Sequence, residues 1–248
     1  MENLPIRHIC QVEIRVNNLR TAVDFYRGCF DWNIFETSPS TALIDPGHAP
    51  VASLVVTPSP RWPVGVGNYV LVPNCAAAAQ YAAVLGGQIF IARTEVPGSG
   101  AYTGTYDPFG NELLFWEPLG EFAPKLRGSG ENHLIWLEIP VPDLEKGLGY
   151  YTRLLRWRFA PVAGQADYVI TPDSGFSLGT SLIGGSRGER MRTHINYIAS
   201  ADLDATAEKI KARGGTILRE RSEIPGEGAF LLFEDPDGVR WGLFQATP

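Results

Sequence analysis

No apolar run in the 248 residues reaches the roughly 18 to 20 needed to cross a bilayer, and the N-terminal MENLPIRHIC lacks the apolar stretch of a signal peptide. No membrane partner is expected, and the cytoplasm is the expected location. Cysteine is scarce. Cys10, Cys29 and Cys75 all fall in apolar segments of the first half without CxxC spacing, which excludes a zinc or disulfide framework and reads as reduced core residues. Clustered basic residues are lacking too, and the formal net charge is -6, so a polyanion is not an expected partner and nucleic acid is excluded. Histidine occurs four times, at His8, His48, His133 and His194, too thinly to announce a metal site by itself.

What the chain does have is a repeat. EVPGSGAYTGTYDPFG at residues 95–110 returns as EIPGEGAFLLFEDPDG at 223–238, displaced by 128 positions, and the same displacement pairs Asn68-Tyr69 with Asn196-Tyr197 and Gly86-Gly87 with Gly214-Gly215. Nearer the start of each half, VEIRVNNLRTAVDFYRGCFDW at 12–32 matches LEIPVPDLEKGLGYYTRLLRW at 137–157, displaced by 125. Two similar domains are expected, 1–119 and 131–248, on either side of a polar linker.

Each half opens on a strand. Val12, Ile14 and Val16 alternate with Gln11, Glu13 and Arg15; in the second half Ile135, Leu137, Ile139 and Val141 alternate with Trp136, Glu138 and Pro140. Asn18 and Asp143 stand where helix N-caps belong, followed by apolar residues at helical spacing: Ala22, Phe25, Tyr26, Cys29 and Phe30, then Leu144, Leu148, Tyr151 and Leu155. Short strands are expected near 51–57 and 176–182. A second strand-helix pair follows in each half and ends on a Gly pair, and the last two strands are joined by DPFG or DPDG turns. The order is β-α-β-β-β, four times, giving an α+β fold whose sheets bury one face under helices and leave the other to form a cup.

The helix entries VNNLRTAVDFYRGCFDW and VPDLEKGLGYYTRLLRW, the segments AAVLGG and KIKARGG, and the DPFG and DPDG turns together resemble the vicinal-oxygen-chelate superfamily, which includes glyoxalase I, bleomycin-resistance proteins, fosfomycin-resistance enzymes and extradiol dioxygenases. Two departures stand out: Asn18 replaces an Asp, and Asp31 or Arg156 occupies the position before Trp where Gly is usual. The resemblance implies two glyoxalase-like domains built from four βαβββ modules, with cup-shaped mixed sheets and helices on the convex side. In metal-dependent members it also implies a divalent ion held by His and Glu on the concave face. The positions that would supply those ligands are here Gln11 and Trp136 on the first strands, Gly67 and Ile195 on the strands opening the second modules, and Leu114 and Gly242 on the last strands. None is His, Asp or Glu, so no metal and no other cofactor is expected.

Period two places other groups on the concave face. Glu13 and Glu138 are candidate acid-base residues with Tyr69 and Tyr197 as phenolic partners, or else members of structural Glu-Tyr hydrogen bonds. Gln11, Arg15, Trp136, Trp62, Trp116, Arg240 and Phe244 are candidate ligand contacts, with core packing or solvation the alternative for each. His8 and His133 fall on the opposite strand face, and His194 lies one residue out of register with a ligand position. The PGSGAY and PGEGAF segments are either mobile rim loops or plain turns. The expected partner is a small, partly aromatic or polyketide-like molecule, bound or transformed without metal, with a homodimer left open. Two alternatives remain: a metal-dependent lyase, isomerase or dioxygenase using Gln11, His194 or Glu112, and a sequestering resistance protein without chemistry.

Overall fold

A computed structural model describes residues 8–45, 52–57, 62–120, 132–171, 178–185 and 193–247; His48 and most of the linker between the halves lie outside them. The repeat resolves into four βαβββ modules. The first comprises β1 (Ile9–Val16), α1 (Leu19–Phe30), β2 (Asn33–Ser38), β3 (Thr41–Asp45) and β4 (Ala52–Val56). The second comprises β5 (Gly65–Leu71), α2 (Cys75–Val84), β6 (Gln88–Val96), β7 (Gly100–Tyr106) and β8 (Glu112–Pro118). The third comprises β9 (Leu134–Pro140), α3 (Leu144–Leu155), β10 (Ala160–Val162), β11 (Gln165–Ile170) and β12 (Gly179–Ile183). The fourth comprises β13 (Ile195–Ala199), α4 (Leu203–Ala212), β14 (Thr216–Ile224), β15 (Gly228–Glu234) and β16 (Arg240–Ala246).

Local chemistry accounts for the helix limits. Asn18, Asn74, Asp143 and Asp202 sit in extended backbone, and each accepts a hydrogen bond from the amide three residues on, as an N-cap should. At the other end of α1 and α3, Asp31 and Arg156 adopt left-handed φ values of 53° and 55°. The Gly that the resemblance implies at this position would serve as a helix C-cap, and this chain holds a non-glycine residue in the strained left-handed conformation at both places.

The strands form two mixed eight-stranded sheets with the same order, β2-β3-β4-β1-β5-β8-β7-β6 and β10-β11-β12-β9-β13-β16-β15-β14. Packing divides the chain differently. Apart from strand ends, one compact unit combines the second and third modules, the other the first and fourth. Motifs that look like independent copies in the sequence are thus pieces of the same core.

In the unit of the first and fourth modules, α1 packs with α4. Tyr26 stacks on Trp32 at 5.6 Å and meets Trp241 edge-on at 6.1 Å, while Phe30 lies 6.1 Å from Phe233. The Tyr26 hydroxyl donates to Asp235 Oδ2 at 2.7 Å and accepts from Trp241 Nε1 at 2.9 Å. In the other unit the Tyr151 hydroxyl donates to Asp107 Oδ2 at 2.7 Å, and Asn111 Nδ2 bridges Asp107 Oδ2 and the Pro140 carbonyl at 2.8 Å each. Asp107 and Asp235 are the Asp of the DPFG and DPDG turns, and their other oxygens accept turn amides. Each turn is therefore fastened to a helix of the opposite half. Burial holds both carboxyls above the usual aspartate range, only partly offset by these hydrogen bonds.

Cys10, Cys29 and Cys75 are free and buried, and burial pushes the Cys10 thiol up to about 12 and the other two up to about 11. Among the described residues no helix is long and apolar enough to cross a membrane. The PGSGAY and PGEGAF segments are tight turns: Ser99 N donates to Val96 O and Glu227 N to Ile224 O, both at 3.0 Å. Gly100 and Gly228 let the backbone of the neighbouring strand approach where a Cβ would strike Glu117 O or Gln245 O.

Candidate functional site

On β1, Val12, Ile14 and Val16 are buried at 2%, 0% and 0% exposure, and the alternate residues Gln11, Glu13 and Arg15 share the other face. β4 runs parallel beside it and sets Ser53 opposite Glu13. Gln11 Nε2 donates to Ser53 Oγ at 3.2 Å. Arg15 Nη1 stands 3.8 Å from Glu13 Oε1, with the two side chains only 3% and 10% exposed. The guanidinium carbon lies 5.1 Å from the centroid of the Trp62 ring, and Arg15 Nε donates to the Pro63 carbonyl at 2.9 Å. The Trp62 carbonyl in turn accepts from the Thr57 hydroxyl, which ties the end of β4 to the segment covering Arg15. The first module therefore gathers a carboxylate, a cation, an amide, a hydroxyl and an indole. Charges this far from water persist only when paired, and here they are.

The third module has a different arrangement. Glu138 occupies the Glu13 position but is half-buried, and Pro140 replaces Arg15. The partner of Glu138 comes from β11: Tyr168 Oη donates to Glu138 Oε1 at 3.5 Å, the outer limit for a hydrogen bond. Tyr168 was not among the residues expected from the sequence, because β11 carries no repeated motif and its side chain reaches Glu138 past the intervening strand β12.

The two candidate phenols are buried and each meets another aromatic ring. Tyr69 is 5% exposed, pairs with Leu114 in the β5–β8 register, and meets Tyr102 edge-on at 6.1 Å. Tyr197 is 7% exposed, pairs with Gly242 in the β13–β16 register, and meets Phe230 at 6.4 Å. A Cβ on Gly242 would run into the Tyr197 ring. Trp116, Trp136 and Phe244 are half-buried. Trp116 is paired across with Tyr102, and Phe244 with Phe230.

Of the two alternatives for Arg240, its surroundings match the solvated one: it is exposed at the start of β16 and its Nε donates to Glu234 at 2.8 Å, a surface ion pair at a strand end. Arg15 departs the other way: the solvated alternative does not hold for a side chain 3% exposed.

The residues at the expected metal positions do not fit a divalent ion. Gln11 turns its amide nitrogen to Ser53, Leu114 is a fully buried hydrocarbon, and the place of a carboxylate at Gly242 is filled by the ring of Tyr197. His8, His133 and His194 are all buried, and among the described residues no three of His, Cys, Asp and Glu are grouped so as to hold an ion.

Four βαβββ modules in two mixed sheets, with acid, base and aromatic groups on the strand faces, define the vicinal-oxygen-chelate fold. The profile of the Glyoxalase/Bleomycin resistance protein/Dioxygenase superfamily matches residues 6–115 and 132–243, and the chain belongs to that superfamily. Among its relatives is the Mycobacterium tuberculosis protein named "Putative glyoxylase CFP32", 24% identical over 251 residues, covering 96% of this chain and 94% of that protein. A lactoylglutathione lyase of Arabidopsis thaliana is 26% identical over 149 residues, 56% of this chain and 49% of that protein. Among solved structures, the Mn(II)-bound glyoxalase of Novosphingobium aromaticivorans superposes with a TM-score of 0.63 at 12% identity, over 97% of this chain and 82% of that one. Homoprotocatechuate 2,3-dioxygenase of Arthrobacter globiformis gives a TM-score of 0.63 at 21% identity, over 97% and 80%. At these identities the structural matches speak for the fold alone.

Proposed function

We propose that this chain binds a small organic metabolite on the face of its first module and moves a proton on it with Glu13, without a resident metal. The observation that carries the reading is the buried Glu13–Arg15 pair, together with the unsuitable side chains at the metal-ligand positions. A carboxylate fixed in a water-poor setting can take a proton from a carbon or hydroxyl next to a carbonyl. The names of the glyoxylase and lactoylglutathione lyase relatives favour a carbonyl compound. A sequestering protein without chemistry is the second reading, favoured by the half-buried ring of Trp62 on the same face.

Solvent deuterium incorporation next to the carbonyl of S-lactoylglutathione, followed by NMR with chelator-treated protein, separates these. Proton transfer by Glu13 predicts exchange with the wild type, a loss of about 100-fold or more in Glu13→Gln, and a smaller loss in Glu138→Gln. Exchange that survives Glu13→Gln removes Glu13 from the role. Exchange seen only after Mn(II) is added supports a metal-dependent protein instead, and calorimetric binding without exchange supports sequestration.

A further inference from the structure

Strand register carries the Glu13 face outward to the edge of its sheet. Glu13 stands opposite Ser53, Ser53 opposite Leu43, and Leu43 opposite Phe35, so four side chains on four neighbouring strands form one row. Their alternates Ile14, Leu54, Ile44 and Ile34 are buried on the other face. Along the row Glu13 and Ser53 are buried, Leu43 is half-buried and Phe35 is 58% exposed. Three strand spacings of about 4.8 Å set Phe35 roughly 14 Å from Glu13. β2 is an edge strand, where polar side chains are usual, and its other exposed residues, Asn33, Glu36, Thr37 and Ser38, are polar. In the third module the row that likewise ends on a serine reads Ala160, Ile170 and Ser181, with no ring at the edge. The exposed ring thus belongs to the copy that also holds the buried Glu13–Arg15 pair.

We infer that Leu43 and Phe35 set the substrate class of this face: a carbonyl compound with a linear apolar substituent, its carbonyl end at Glu13 and its substituent lying across Leu43 to Phe35. The inference rests on the proposed function for the position of the reacting end. An unbranched hydrocarbon tail suits a row one side chain wide, and each methylene withdrawn from water tightens binding by up to about fourfold.

The ethyl and octyl thioesters of lactate present the same reacting end on a short and a long tail. Calorimetry with the full chain is expected to show the octyl thioester bound at least about tenfold tighter, and deuterium incorporation followed by NMR should give a KM lower by a similar factor at comparable kcat. Phe35→Ser should bring the two thioesters to within about threefold of each other, and Phe35→Leu should keep most of the preference. Val84→Ser, which removes another exposed apolar side chain, on α2, should leave the preference whole. Equal affinity of the wild type for the two tails, a preference that survives Phe35→Ser, or one that is lost in Val84→Ser would each overturn the inference. Glu13-dependent exchange that is equally efficient on both thioesters sinks the apolar row alone. A Phe35-dependent octyl preference in binding, without exchange, sinks the proton-transfer reading and leaves the row standing.

Discussion

On β1 the face opposite Val12, Ile14 and Val16 carries Gln11, Glu13 and Arg15; on β9 the matching positions carry Trp136, Glu138 and Pro140. Only the glutamate is shared. In the first module it lies buried beside a guanidinium from its own strand, and in the third it is half-buried beside a phenol from β11. The helix-facing sides of the same modules have stayed alike. Tyr26 is fastened to Asp235 and Tyr151 to Asp107, both at 2.7 Å. Duplication thus preserved the parts that join the halves and let the strand faces diverge. Because a buried ion pair is unfavourable unless something holds it, its presence in one copy alone is why the proposed site is placed on that copy.

Breaking the ion pair from one side should have the largest effect. Arg15→Met leaves Glu13 buried without its cation and is expected to lower stability by about 3–5 kcal/mol, read by urea denaturation. Recovery of most of that loss in Glu13→Gln/Arg15→Met would show that the stranded charge, not lost packing, is responsible. The fastenings between halves come next. Tyr26→Phe removes both the donor to Asp235 and the acceptor for Trp241 Nε1, a loss of about 2–3 kcal/mol. Tyr151→Phe removes one donor from an Asp107 that keeps Asn111, a loss of about 1–2 kcal/mol. The reverse ranking would mean that the number of hydrogen bonds lost does not set the cost of breaking the two fastenings. Smallest is Tyr168→Phe, whose 3.5 Å contact to a half-buried Glu138 should contribute less than about 0.5 kcal/mol in thermal unfolding. A much larger loss would place a strong pair in the third module and weaken the contrast between the faces.

Much of this architecture was legible in the sequence because it depends on local chemistry. Asn18 and Asp143 cap helices by their own side chains, and alternation alone puts Glu13 and Arg15 on one strand face. What was not legible depends on contacts set by strand register or by chain crossing. The stack of Arg15 on Trp62 needs the path of the chain after β4, and the Tyr168–Glu138 contact needs the pairing of strands around β11. The repeat displayed Tyr26 and Asp235 as parts of separate copies, so their direct bond could not be inferred from similarity between copies. Gly242 read as a missing ligand, and its actual reason is the ring of Tyr197 in the space a side chain would occupy. The periodicity that correctly aligned Arg240 with the strand face gave no sign that it sits at the strand's exposed end beside Glu234.

The transition-metal content of the chain, purified without chelator and measured by elemental analysis alongside deuterium exchange on S-lactoylglutathione, tests the central claim most directly. A side-chain site on the first module predicts metal well below one ion per chain and exchange unchanged after EDTA treatment. One tightly held ion per chain, lost together with exchange on EDTA treatment or in Gln11→Ala, would contradict it.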